Sequence, residues 1–240
     1  MNSIDGILVV DKPKDWTSHD VCAFVKRRYK IKKVGHAGTL DPLATGLLVL
    51  LLGRATKHSI ALSSCDKEYR GVMELGVKTD SHDRQGKVIQ TAPWEHIALE
   101  DVRRKAQDFT GEILQVPPMV SALKHKGVRL YKLARKGMDV PRQERKVVVQ
   151  NFDMEKKEGP FIHFQASVSK GTYLRTLVND LGEALGCCAT LAELRRVRSG
   201  QFRLENSVTI DELKQSDLAK MRSKILPFWY TPDYAYRSGS

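Results

Sequence analysis

The sequence predicts a fold of the α+β class, because strand and helix signals are mixed along the chain without a regular βαβ rhythm. An apolar run at 47–52, bounded by glycines, is typical of a buried strand. The segment 161–169 alternates between apolar and polar residues and predicts a half-buried strand whose inner face holds Ile162, Phe164, Ala166 and Val168. Apolar residues then recur at helical spacing after 172, which predicts an amphipathic helix.

The other elements of the first half follow from local patterns. Residues 6–11 (GILVVD) predict a strand, and Thr17 opens a helix with Asp20 as its capping-box partner. One face of this helix holds Val21, Phe24, Val25 and Arg28. The basic end of the helix suits its dipole. The glycine-rich segment 35–46 predicts a loop, and 67–76 predicts a further strand.

In the second half, residues 99–109 predict a helix and Pro117-Pro118 interrupts the chain. A basic segment follows as far as about Lys146. If Thr172 caps the last clear helix, Arg175 occupies its third position and Gly186 ends it. A cation in the first turn opposes the helix dipole, so Arg175 is either held there by an anionic partner or faces solvent.

Composition narrows the classes of function. The chain of 240 residues has 40 Lys and Arg against 28 Asp and Glu, a net charge of +12, and 41% hydrophobic residues. A polyanion is the natural partner of such a chain, although a merely solvated basic surface is the alternative. The N-terminus lacks the features of a secretory signal, and no apolar run is long enough to span a membrane. We therefore expect a cytoplasmic protein with reduced thiols at Cys22, Cys65, Cys187 and Cys188.

The loop GHAGTLDPLATG carries the clearest candidate for chemistry. Glycines at Gly35, Gly38 and Gly46 allow unusual backbone paths, and Pro42 favours an extended conformation for Asp41. Asp41 is therefore either a positioned functional carboxylate or a turn residue that binds nearby backbone N–H groups.

Other templates are weak or missing. The sequence contains no Walker A motif, no G-x-G-x-x-G and no G-x-S-x-G. Asp80, His82 and Asp83 form a polar turn without further spaced metal ligands. We expect neither a metal nor a cofactor.

Five segments of the chain are similar to segments that one known family has in the same order: GILVVDKPKDWTSHD, GHAGTLDPLATGLLVLLLGRATK, DKEYRGVMELGVKTDSHD, PPMVSALKHKGVRLYKLARKG and SKGTYLRTLVNDLGEALGCCATLAELRRVRSG. Together they resemble the bacterial TruB family of tRNA pseudouridine synthases over roughly residues 4–213. The resemblance implies a mixed, mainly antiparallel sheet flanked by helices. It also implies an RNA-binding thumb at about 118–146 and isomerisation of uridine 55 in the T loop of tRNA.

The resemblance also assigns roles to residues. Asp41 matches the catalytic carboxylate, Arg175 its expected ionic partner, and Tyr69 the active-site tyrosine under the uracil. The residues that would contact the substrate are His36, Tyr173, Leu194 and Lys12. His36 would fill the space of the flipped base, while Lys12, the thumb and Arg195-Arg196 would contact phosphates. Where many members have glycine the chain has Asp15, a residue that tolerates left-handed geometry.

These observations predict one catalytic domain at 1–225 and a tail at 226–240, with no C-terminal PUA domain. The tail aromatics Phe228, Trp229, Tyr230, Tyr234 and Tyr236 would pack on the catalytic domain. We expect a monomer that acts on the T arm of tRNA without a protein partner or a membrane. The alternatives are a non-catalytic RNA-binding or tRNA-folding protein and a guide-RNA-directed synthase.

Overall fold

The computed structural model describes residues 4–227 except 122, 126, 131–132, 134–136 and 139. Two compact units divide the chain: unit 1 is Met1–Tyr69 with Leu194–Ser240, and unit 2 is Arg70–Glu193. Strands and helices are mixed in both, which confirms the α+β class. Among the helices of the described residues, none has the length and apolar character that a membrane crossing requires.

Unit 1 is built on a mixed sheet of order β14-β1-β3-β12, in which β2 also pairs with β3 and β13 with β12. The strands are β1 (Gly6–Lys12), β2 (Val34–His36), β3 (Thr45–Leu52), β12 (Ala189–Ser199), β13 (Phe202–Arg203) and β14 (Val208–Thr209). β1 and β3 are antiparallel, whereas β1–β14 and β3–β12 are parallel. Burial of every residue in 47–52 confirms the prediction of an interior strand.

The helices of unit 1 are α1 (Ser18–Arg28), α2 (Ser59–Ser63), α5 (Ile210–Gln215) and α6 (Leu218–Arg222). Short 3₁₀ helices occupy Gly53–His58 and Leu204–Asn206. The capping box between Thr17 and Asp20 is present, so the sequence identified the start of α1 correctly. Leu226 pairs with Ile7 of β1 through two backbone hydrogen bonds of 2.8 Å. The tail aromatics from Phe228 onward lie outside the described residues.

The glycine-rich segment 35–46 is shorter as a loop than predicted, because β2 and β3 take up its two ends. Gly46 shows why a glycine belongs in β3. Its φ is +96°, and a Cβ there would lie 2.4 Å from the backbone oxygen of Arg196 in β12. Only a residue without a side chain permits this approach of the two strands.

Unit 2 contains the strand order β4-β11-β10-β7, flanked by the hairpins β5-β6 and β8-β9. Its strands are β4 (Lys67–Leu75), β5 (Val77–Thr79), β6 (Val88–Thr91), β7 (Gly111–Gln115), β8 (Lys124–His125), β9 (Val128–Arg129), β10 (Arg145–Glu158) and β11 (Phe161–Val168). β4 and β12 carry the chain between the units. β11 buries alternate residues, as the period-two pattern predicted.

Two helices in unit 2 test the sequence predictions. α3 (Leu99–Gln107) matches its predicted span except for the last two residues. α4 (Leu174–Ala184) confirms the predicted helix, but Thr172 is not its cap, and that part of the prediction is wrong by one residue. Tyr173 is the N-cap, and the Thr172 hydroxyl instead donates to the carbonyl of Ser169 at 3.0 Å. Gly186, with φ +74°, follows the C-cap as predicted.

Candidate active site

Asp41 lies on a loop of unit 1 between β2 and β3, and neighbouring groups hold that loop on both sides. The hydroxyl of Ser18, the first residue of α1, accepts from the Leu40 N–H at 2.8 Å and lies 3.2 Å from the Leu40 carbonyl. The N–H of Asp15, at φ +66°, donates to the Pro42 carbonyl at 2.8 Å. Asp15 adopts the left-handed geometry that aspartate tolerates, and half-buried Asp41 lies on a loop held by these contacts.

Arg196 of β12 lies beneath this loop with only 1% of its surface exposed. Its guanidinium donates to the carbonyls of Leu47, Gly38 and Thr39 at 2.7, 3.1 and 3.4 Å. A planar cation with several donors suits three diverging carbonyls. The predicted phosphate contact of Arg196 is therefore wrong, because the group is buried and fastens the loop before Asp41 to β3.

Lys12, predicted to contact phosphate, has no exposed surface. Its ammonium donates to the carbonyls of Pro13, Trp16 and Pro42 at 2.9, 2.6 and 3.4 Å. Burial lowers the pKa of Lys12 to about 8, and the nearby carboxylate of Asp41 partly opposes the shift. Backbone carbonyls of residues 13, 16 and 42 thus surround the ammonium, and the phosphate contact that the resemblance implied for Lys12 stays a prediction.

The remaining predicted residues of unit 1 differ in accessibility. His36 is half-buried in β2, where burial first and then Arg196 lower its pKa, so the ring favours the neutral form. Tyr69 is 9% exposed in β4. Leu194 is half-buried, and its carbonyl lies 3.5 Å from the Thr45 hydroxyl.

Arg195 differs from its neighbour Arg196 because its side chain is 43% exposed. Its guanidinium binds the Asp11 carboxylate at 2.6 and 3.2 Å and also reaches the Thr45 hydroxyl at 3.3 Å. Alternate residues of a strand point to opposite faces, so adjacent arginines have opposite environments.

In unit 2, Tyr173 and Arg175 lie at the start of α4. Both sides of the Tyr173 backbone are clamped by the Gln115 amide: the Tyr173 N–H donates at 2.8 Å, and its carbonyl accepts at 3.2 Å. The Gln115 amide thus satisfies the N–H of the N-cap residue, one of the groups that a helix N-terminus leaves without an intrahelical partner.

Arg175 is 3% exposed and ion-paired with Asp83, which is 4% exposed, across 3.4 Å. It also donates to the carbonyls of Ser81 and Val120 at 3.0 and 2.9 Å. These partners satisfy a cation that the helix dipole disfavours. The sequence interpretation missed Asp83 as a site residue; the motif Asp-x-His-Asp at 80–83 was noticed only as a weak metal candidate.

The turn that carries Asp83 is itself tightly bonded. The carboxylate accepts from the Ser81 hydroxyl at 2.7 Å and from the Gln85 N–H at 3.0 Å. His82 lies between them at φ +63°, and burial followed by the charge of Arg175 lowers its pKa to about 4. In the described part of the chain, no group of three His, Cys, Asp or Glu side chains is placed to hold a metal ion.

The two units therefore present different chemical parts. Unit 1 holds the Asp41 carboxylate on a fastened loop, and it also contains half-buried Leu194 and buried Tyr69. Unit 2 holds a buried guanidinium beside Tyr173. A carboxylate at a fixed position on a loop suits acid–base or nucleophilic chemistry.

Comparison with other proteins identifies the family. The model described as TruB family pseudouridylate synthase (N terminal domain) matches residues 26–174, and that of the tRNA pseudouridylate synthase B C-terminal domain matches residues 175–228. The chain belongs to the TruB family of pseudouridylate synthases. Its membership makes it an isomerase of the pseudouridine synthase class, as the resemblance implied.

Relatives and solved structures agree with this assignment. The tRNA pseudouridine synthase B of Opitutus terrae is 45% identical over 94% of both chains. That of Geotalea uraniireducens is 48% identical over 87% of this chain and 67% of its own. A crystal structure of a Cbf5–Nop10–Gar1 complex matches with a TM-score of 0.72 and 30% identity, over 93% of this chain and 60% of that chain.

Proposed function

We propose that this TruB family member converts uridine 55 in the T loop of tRNA to pseudouridine. The proposal is supported by the 45% identity to a tRNA pseudouridine synthase B over nearly the whole of both chains. The observation in the molecule that supports it best is the fastened loop of Asp41, held by Ser18 on one side and Arg196 beneath it.

The reaction breaks the bond between ribose C1′ and uracil N1, turns the base and rejoins it through C5. Atoms and electrons balance within the substrate, so the step needs no oxidant or imported group. Asp41 is the catalytic carboxylate in this proposal, and Arg175 supports its ionised form. Tyr69 stacks under the uracil, while Tyr173 and Leu194 line the site.

A base inside a folded T loop must leave its stack before chemistry can occur. Flipping costs a few kcal/mol, which stacking and backbone contacts must offset. In this proposal half-buried, neutral His36 occupies the vacated space. In this proposal the protein acts as a monomer in the cytoplasm without a protein partner, whereas the solved Cbf5 relative is in a complex with Nop10 and Gar1.

Mapping of pseudouridine in tRNA treated with the purified protein tests the proposal, with Asp41→Asn as the decisive variant. We expect tRNA binding within a few-fold of wild type and no detectable product. Asp15→Asn is the matched control, because it removes one carboxylate from the same side of unit 1 and keeps a residue that accepts φ +66°. It should modify tRNA at close to the wild-type rate.

The possible failures are distinguishable. Turnover by Asp41→Asn would remove the carboxylate from its central role. Wild-type protein that binds tRNA but yields no product would favour the non-catalytic alternative. Product only in the presence of an added guide RNA would favour a guide-directed synthase.

A further inference from the structure

A dense group of cations at the C-terminal end of α1 has no place in the site described above. Six of the eight residues at 26–33 are lysine or arginine, and all six are exposed. Arg28 is tied down, since its guanidinium donates to the carbonyls of Lys214 and Ser216 at 3.1 Å. The other five form what we call the α1 basic cluster: Lys26, Arg27, Lys30, Lys32 and Lys33.

The cluster differs from the basic run on α3 of unit 2. There Arg103, Arg104 and Lys105 each have a carboxylate partner within the same helix or its cap, at 3.5, 2.7 and 3.1 Å. The ion pairs of the described residues include none with the α1 basic cluster. The charge at 26–33 is therefore available to an external anion.

The helix dipole explains only part of the cluster. Cations in the last turn stabilise a helix, which covers Lys26 and Arg27, but Lys32 and Lys33 lie beyond the end of α1. A like-charged group of this size repels itself and costs stability unless an anion binds it. Stabilisation of the helix therefore does not account for Lys32 and Lys33.

The backbone at the end of α1 gives the cluster a fixed shape. Lys30 adopts φ +54° in a Schellman turn, with its N–H on the Arg27 carbonyl at 3.4 Å and the Ile31 N–H on the Lys26 carbonyl at 3.0 Å. Glycine is the usual residue there, whereas this chain places a cation. Lys26, Arg27 and Lys30 line a shallow depression of about 500 Å³ whose floor includes Ala23 and Ile31.

The distance from the cluster to the Asp41 loop follows from α1 itself. The first residue of the helix, Ser18, is bonded to Leu40, next to Asp41. With 11 residues and a rise of 1.5 Å per residue, α1 is about 16 Å long. The basic cluster at its other end lies in the same unit at that distance from the loop.

We propose that the α1 basic cluster binds the phosphodiester backbone of the RNA substrate, about 16 Å from the Asp41 loop. This inference rests on the proposed function. Clustered Lys and Arg heads on a rigid turn suit phosphates, because backbone affinity comes from counterion release and needs no base readout. Unlike Lys12 and Arg196, which the fold buries, all five cations of the cluster are exposed.

The test is the salt dependence of RNA binding by the triple variant Arg27→Gln, Lys30→Gln, Lys33→Gln. All three side chains are exposed, and Arg27, the one position within α1, receives a good helix former, so folding should be unchanged. Each lost phosphate contact flattens the slope of log Kd against log salt by about 0.7–0.9, so we expect a slope smaller by about two. We also expect affinity for a T-arm hairpin and for full-length tRNA to fall about tenfold or more near 0.1 M salt.

A control of equal charge separates local contacts from net charge. The variant Arg104→Gln, Lys105→Gln, Lys156→Gln also changes the net charge from +12 to +9, but removes cations that are already paired at the surface. Its slope should stay within about 0.5 of wild type if phosphate contacts set the slope. The rate of product formation at saturating RNA should be unchanged in both variants, because neither alters the Asp41 loop.

Three results would overturn the inference. Equal effects of the two variants would assign the salt dependence to net charge. An unchanged slope in the α1 variant, with wild-type tRNA binding and modification intact, would refute the cluster as an RNA surface and leave the proposed function standing. Wild-type protein that neither binds nor modifies tRNA would refute both.

Discussion

Removal of the Asp83 carboxylate by Asp83→Asn probes how unit 2 holds Arg175. Both side chains are more than nine-tenths buried and lie 3.4 Å apart. Loss of one partner of a buried ion pair costs about 3–5 kcal/mol, because the remaining charge is left without compensation. Arg175 keeps two carbonyl acceptors, and an asparagine oxygen can still accept from Ser81, so the lower end applies. We expect the free energy of unfolding to fall by about 3 kcal/mol.

For a chain of this size that loss corresponds to a decrease of roughly 6–12 °C in Tm. Urea unfolding followed by circular dichroism measures it, and single-turnover pseudouridine formation at a temperature where the variant is folded measures the effect on the site. We expect a large fall in rate with RNA affinity nearly unchanged, because the variant alters how Arg175 is held and leaves the surface cations in place.

Glu112→Gln is the matched control for this measurement. Glu112 pairs with Lys146 at 2.7 Å, but the two side chains are 60% and 72% exposed. Exposed pairs contribute about 0–1 kcal/mol, so the control should unfold almost as wild type does. A loss below about 1 kcal/mol in Asp83→Asn, or equal losses in the two variants, would refute the conclusion that the buried pair supports Arg175.

Three further predictions concern the site and its substrate. Arg175→Lys keeps the charge but loses the planar guanidinium, so turnover should fall strongly while RNA affinity changes modestly. Arg175→Met should lose more turnover than Arg175→Lys. Normal turnover in both variants would contradict a role in catalysis. Because burial holds the pKa of His82 at about 4 against a usual 6.5, the unfolded chain binds the proton first as pH falls, and stability should decrease between pH 6.5 and 4. His82→Asn, which tolerates φ +63°, should flatten that part of the curve of unfolding free energy against pH, and an unchanged curve would contradict the assignment. The Asp41 loop and the α1 basic cluster lie about 16 Å apart. A T-arm hairpin should therefore be modified with a kcat/KM within about tenfold of that for full-length tRNA, or roughly 1.4 kcal/mol. A kcat/KM for the hairpin a hundredfold lower at equal salt would indicate contacts with distant parts of the tRNA.

Local patterns predicted most of the secondary structure because they act over a few residues. The Thr17–Asp20 capping box, the alternation in β11 and the apolar run of β3 each appear as the sequence indicated. The start of α4 was wrong for a reason that lies elsewhere in the chain. Gln115 binds the Tyr173 backbone from 58 residues away, and no local signal at Thr172 reports that contact.

The candidate site likewise contains residues that local sequence indicates and contacts that only the tertiary structure shows. Asp41 was recognised from glycines and a proline within its own loop, and family membership confirmed the class of enzyme. The roles of Asp41, Tyr69 and Arg175 in catalysis stay predictions. Asp83 as the partner of Arg175 could not be found by spacing, since an ion pair between a turn and a distant helix depends on how unit 2 packs.

From its residues alone the chain is an α+β member of the TruB family with a basic surface and a carboxylate on a glycine-rich loop. Only the tertiary structure distinguishes cations that serve the fold from those that face solvent. Lys12 and Arg196 are the same residue types as Lys33 and Arg27, yet the first two bind carbonyls in the interior and the latter two are exposed. The physical reason is that the sequence fixes the type of each side chain, whereas its access to a phosphate depends on what the rest of the chain packs around it.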